Sequence, residues 1–176
     1  MLQSITNQKI LFAQSQLESL VCALEQAETP RERLVARGFA DACVYHLMSA
    51  LRALLQEILS NYKVMGVSPM HTLGGEMIGG LLKGCEQEGI VIPELNYINE
   101  LSKKTRTCIS QLHSLFDQAI GGFSVPDDTQ SNSRGQIALR QVHATDPLTM
   151  QCQRLEVIVE DVKALVQHCR QSMQEY

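Results

Sequence analysis

Paired cysteines, basic patches, long apolar runs and metal-ligand spacings are all missing from this 176-residue sequence. The six cysteines, at 22, 43, 85, 108, 152 and 169, are scattered mostly among apolar residues, with no Cys-x-x-Cys pair and no clustering around histidine. That distribution excludes a disulfide framework and predicts small core residues in a reducing compartment. The opening Met1–Gln8 stretch lacks the basic start and apolar run of a signal peptide, and no uncharged stretch approaches the ~20 residues of a membrane span. Neither export nor membrane insertion is expected, which leaves a cytoplasmic setting. The net charge is -4 and the 15 basic residues are spread along the chain, so no patch is available to neutralise phosphates and nucleic acid is not an expected partner. Charged residues make up 19% and 17 glutamines supply much of the polar surface, so long-range steering of charged partners should be weak.

What is present is helical punctuation. Proline is tolerated at the first helical position, where its missing N–H would have had no partner. Thr29-Pro30-Arg31-Glu32 reads as a capping box, Ser68-Pro69 and Asp146-Pro147 repeat the cap-then-proline signal, and Ile92-Pro93-Glu94 is a weaker copy. Pro126 falls in a turn-rich segment.

Between these marks apolar residues recur every three or four positions. Ile10, Ala13, Leu17, Leu20, Leu24 and Ala27 predict a helix over roughly 4–28. Ala40, Val44, Leu47, Leu51, Leu54 and Ile58 predict a second over roughly 30–63, and an adjacent stripe of Phe39, Cys43, His46, Ala50 and Ala53 makes it a central helix touched on more than one side. Leu95, Ile98, Thr105, Ile109, Leu112, Phe116 and Ala119 predict one helix over roughly 93–120, closed by a left-handed stop at Gly121-Gly122. Leu155, Ile158, Val162, Leu165 and Cys169 predict a last helix over roughly 147–174.

Two segments differ. Six glycines in the stretch from Pro69 through Gly89 predict a short, marginal, mobile helix, in which Gly75 with Gly79 and Gly80 with Gly84 would let helices approach closely. Residues 121–146 are rich in Ser, Asp, Gln and Gly with one β-like run at 137–142, and predict a flexible linker or a strap across the helices. The expected fold is all-α, a single domain over 1–176 forming an antiparallel up-down bundle of four long helices plus one short Gly-rich helix.

Templates for chemistry largely fail. No Glu-x-x-His pair exists for a carboxylate-bridged metal site, and Cys and His never take zinc spacing. Gly75-Glu76-Met77-Ile78-Gly79-Gly80 has the glycine spacing of a phosphate loop, but Leu81-Leu82 stands where lysine and a hydroxyl are required. No metal and no cofactor are therefore expected. Arg106 and His113 have six residues between them, the Arg-x(4 to 6)-His arrangement of HEPN ribonucleases, in which a cation and an imidazole act on a phosphodiester. With nine arginines and five histidines, about one such pair arises by chance, so the bland reading is a solvated arginine and a flank histidine. His46, on the small-residue stripe, and Glu57, about 16 Å further along the axis, are candidate pocket residues that cannot pair directly. Arg37 and Asp41 form an i,i+4 pair, structural by default.

The stretch Thr6-Asn7-Gln8-Lys9-Ile10-Leu11-Phe12-Ala13 with Leu17-Glu18, the Tyr45-His46-Leu47 triplet and the run Leu51 to Ile58 resemble a family of small all-helical bacterial proteins of unknown function. The resemblance covers about the first third of the chain and implies a helical fold and a bacterial cytoplasmic setting, with no activity to carry over. The function expected is non-catalytic binding of a protein partner, or self-association, by a monomer or homodimer. The alternatives are a HEPN-like ribonuclease using Arg106 and His113, and a small-molecule sensor with a pocket near His46 and Glu57.

Overall fold

A computed structural model describes residues 2–64, 76–121 and 146–174, and these form six α-helices with no strand among them. They are α1 (Leu2–Gln26), α2 (Pro30–Asn61), α3 (Glu76–Gln87), α4 (Pro93–Lys103), α5 (Cys108–Ile120) and α6 (Pro147–Gln174). The Ser68-Pro69 signal, Gly74-Gly75, Pro126, the β-like run and nearly all of the expected linker or strap lie outside the described residues.

The expected capping box starts α2. Glu32 N–H donates to the Thr29 hydroxyl at 3.3 Å, and the Glu32 carboxylate accepts from Thr29 N–H at 2.8 Å. Pro93 and Pro147 stand at the first positions of α4 and α6. At its other end α2 closes on Lys63 in the left-handed region, φ 54°. Val64 N–H reaches Leu59 C=O at 3.0 Å and Lys63 N–H reaches Ser60 C=O at 3.2 Å, the two bonds of a Schellman stop, with Val64 and Leu59 both buried. Residue for residue α3 ends the same way on Gly89, φ 71°, through Ile90 N–H to Cys85 C=O and Gly89 N–H to Glu86 C=O.

The expected continuous helix over 93–120 is in fact two. Lys104 turns extended, Arg106 takes φ 66°, and Thr107 caps a new helix in a reciprocal box with Ser110 while its hydroxyl also donates to Leu101 C=O at 2.6 Å. The physical reason lies in the polar gap between Ile98 and Ile109. No large apolar residue beyond the half-buried Leu101 holds that stretch to the core, and β-branched threonine satisfies backbone groups better as a cap than inside a helix. Of the expected left-handed stop at Gly121-Gly122, Gly121 is right-handed (φ -66°, ψ -2°), its N–H donating to Asp117 C=O at 2.8 Å, and Gly122 lies outside the described residues. Nor do Gly79 and Gly80 mediate close helix contact, because a methyl group at either would meet nothing within 4 Å.

α2 is the central element, packed against α1, α6, α5 and α4. Both of its predicted stripes contribute buried residues, Ala40, Val44, Leu47, Leu51, Leu54 and Ile58 on one and Cys43 and Ala50 on the other. α1 and α2 run in opposite directions, since Thr6 meets Glu57 while Phe12 meets His46. α6 runs along α2 in the same direction, with Arg33 against Asp146 and Glu57 against Arg170. α4 opposes α6, with Glu94 against Ser172 and Tyr97 against His168.

One buried ion pair ties three of these helices. Arg170 of α6 donates through Nε and Nη2 to both oxygens of Glu57 on α2, each at 3.0 Å. It also donates to Asn7 Oδ1 at 2.9 Å and Gln3 C=O at 3.2 Å on α1, and the Thr6 hydroxyl donates to Glu57 Oε1. The Glu57 side chain is 4% exposed, so removing its cation strands a charge in the core. Arg170→Met is expected to cost about 3 kcal/mol in urea unfolding. The double variant Glu57→Met/Arg170→Met should recover most of that loss; an undiminished single variant would contradict this role. Lys63→Gly, which relieves the left-handed backbone strain, should gain roughly 0.5 kcal/mol by the same measurement.

Candidate functional site

The structure separates the candidate residues. Arg106 is not on a helix beside His113; it sits in the exposed turn before α5, where its carbonyl accepts from Gln111 Nε2 at 3.0 Å. His113 lies inside α5, buried, with Nε2 unpartnered among the described residues. Burial holds its pKa below the ordinary imidazole value of 6.5, with Asp117 opposing weakly, so the ring is neutral in the fold.

His46 and Glu57 do not share a pocket. Glu57 is taken up by Arg170 and Thr6, and borders a surface cleft of about 530 Å³ with Leu2, Gln3, Ser60 and Met173. A sequence signal for its structural role existed: Glu57 continues the Cys43, His46, Ala50, Ala53 stripe by one further helical step, a carboxylate on an apolar face. The partner, Arg170, is 113 residues away and had no local signal. The same holds for Glu94, buried at the start of α4, which accepts from Tyr62 Oη at 2.9 Å and Ser172 Oγ at 2.5 Å.

Nucleophiles are quiet. Five cysteines are buried and Cys22 is exposed. Burial pushes the Cys43 and Cys169 thiols up to about 12, where the thiolate needed for attack does not form. Among the described residues no group of three His, Cys, Asp or Glu is placed to hold a metal ion, and no helix is long and apolar enough to cross a membrane.

What remains open is the outer groove between α1 and α2. Its hollow, about 550 Å³, is lined on α1 by the short side chains of Ser15, Ser19, Cys22 and Ala23 together with Glu18 and Gln26, and on α2 by Glu32, Val35 and Phe39. Helical spacing explains it, since 15, 19 and 22 stack on one side of α1 and 35 and 39 on the facing side of α2. Small residues opposite large ones leave a trough. Elsewhere between the same two helices Phe12 tilts against His46, ring centroids 5.4 Å apart, with Lys9 Nζ 5.8 Å from the Phe12 centroid. Half-buried His46 keeps a pKa below 6.5 through burial and the Lys9 charge, and its Nδ1 is unpartnered among the described residues. His46 thus packs against Phe12 of α1 rather than pairing with Glu57.

Residues 1–176 match the model of a family of unknown function (DUF6586). No curated protein and no solved structure matches the chain.

A neutral buried imidazole gives a signed pH effect. The unfolded chain binds a proton at His113 near 6.5 and the fold does so only at lower pH, so stability is full above 6.5 and is lost as pH falls between the two values. Thermal unfolding followed from pH 7.5 to about 5.5 should show a falling midpoint. His113→Gln should flatten part of that decline; an equal slope in both proteins would exclude His113 as its source.

Proposed function

The chain belongs to that family, whose description names no activity, and we propose from the geometry that it is a non-catalytic binding protein whose α1–α2 groove receives a helix of a protein partner. The observation that carries this reading is the open trough, in which Phe39, half-exposed Val35 and the short side chains of Ser15, Ser19, Cys22 and Ala23 are bordered by Glu18, Gln26 and Glu32. Two-helix troughs of this kind take the apolar face of a third helix through anchors spaced three and four residues apart. The polar groups elsewhere support the same reading: the Glu57 carboxylate and Arg170 guanidinium satisfy each other, Glu94 is held by two hydroxyls, and the buried thiols stay protonated.

In this proposal the helices make one antiparallel up-down bundle, with α4 and α5 together filling one position and α2 bound on its inner faces. The outer α1–α2 face is then left for the partner. Six unpaired cysteines support a reducing, cytoplasmic setting, and the bacterial context comes from the resemblance described above. A net charge of -4 supports protein rather than nucleic acid as the ligand.

A benzophenone amino acid placed at Val35 tests the reading in cells. It should give an adduct of discrete mass, while the same probe at Lys103, on an exposed helix end, should not. Phe39→Asp should abolish the adduct while circular dichroism stays helical. No adduct from position 35, or equal adducts from both positions, would end the proposal.

A further inference from the structure

Resting on the reading of the α1–α2 groove as a docking site, we infer that its occupant is a basic amphipathic helix of a partner protein, an apolar stripe of about three turns flanked by lysine or arginine.

The shape sets the stripe. The hollow runs from Ser15 to Gln26 of α1, about 16 Å along the helix. Anchors at i, i+4, i+7 and i+11 of an added helix span the same length. The short side chains of α1 leave the room, and Val35 and Phe39 of α2 supply the apolar contact.

The charge sets the flanks. From Ile10 to Pro30 the chain carries Glu18, Glu25 and Glu28 and no lysine, arginine or histidine. Glu18 and Glu32 line the hollow, and exposed Glu25 stands two turns beyond Glu18 on the same side of α1. Glu32 stays ionised, because hydrogen bonds from Thr29 and then Glu28, with N–H distances of 2.8 and 2.9 Å, hold its carboxyl below the ordinary carboxylate value. Among the described residues no ion pair takes up Glu18, Glu25 or Glu28.

The neighbouring cations do not cancel this charge. Lys9 lies over the Phe12 ring, Arg33 is bound to Asp146, and Arg31, one turn before Val35, offsets one carboxylate of the four. The last turn of α1 holds no basic residue against the negative end of its dipole, while the positive end of α2 is already met by Glu32. An acidic or phosphate-bearing occupant would be repelled at this rim, and so would α1 of a second copy, which brings the same carboxylates. A helix with basic flanks buries Val35 and Phe39 and pairs the rim in one docking step, and such rim pairs act on association rate and choice of partner.

Fluorescence anisotropy of the full chain with two labelled peptides tests the inference. Both peptides are about four turns of helix with leucine at i, i+4, i+7 and i+11, one flanked by lysine and the other by glutamate. At about 50 mM salt the lysine peptide should bind about tenfold more tightly or better, and the preference should shrink as salt rises. Glu18→Lys/Glu25→Lys, at two exposed positions, should invert the preference, whereas Phe39→Asp should weaken both peptides together. Equal affinity for the two peptides, binding of neither, or a preference that survives the charge reversal overturns the basic-helix assignment. The Val35 adduct separates that failure from failure of the groove. A captured segment rich in lysine and arginine, sequenced after cleavage by a glutamyl protease, supports the assignment; an acidic one overturns it and leaves docking standing. Absence of any adduct removes the docking reading itself.

Discussion

The bidentate contact between Arg170 and Glu57 sets the relative positions of α1, α2 and α6. A carboxylate only 4% exposed is tolerable in a helical core only when both oxygens are occupied, and here they are held by one guanidinium and the Thr6 hydroxyl. The remaining Arg170 donors reach Asn7 and the Gln3 carbonyl. Apolar stripes alone allow helices to slide by a turn at little cost, because leucine packs on leucine at several registers. A planar fork bound to a buried carboxylate allows one register, and so the pair specifies the arrangement more than it stabilises it.

From that register the outer groove follows. With Thr6 placed against Glu57, the upper half of α1 is carried past the N-terminal half of α2, and the short side chains of Ser15, Ser19 and Cys22 face Val35 and Phe39. The inner face of the pair is closed by buried residues such as Ala13, Leu20, Ala36 and Ala40, while α6 and α5 cover α2 from other sides. Groove and core are thus consequences of one alignment.

Helix ends make the second set of decisions. Thr29 with Glu32 starts α2, Thr107 with Ser110 starts α5, and paired Schellman bonds stop α2 and α3. Each satisfies backbone groups that would otherwise be lost at a terminus. The cap at Thr107 outweighs continuity because the residues before it have little apolar surface to bury, and the chain re-aims α5 so that Phe116 packs near Tyr45 of α2.

The all-helical class, the central place of α2, and the starts of α2, α4 and α6 were legible in the sequence, because apolar spacing and proline caps are local signals carried by residues a few positions apart. The break at Lys104 to Thr107 was half legible: its polar gap was visible, but whether a threonine caps or continues depends on what its helix face meets. The stacking of His46 on Phe12, the choice of Arg170 as the partner of Glu57, and the burial of His113 with Nε2 unpartnered among the described residues were decided by tertiary structure alone. Their environments are made by side chains from other helices, up to 113 residues distant for the Glu57–Arg170 pair, and no spacing rule within one helix encodes which residue will arrive there.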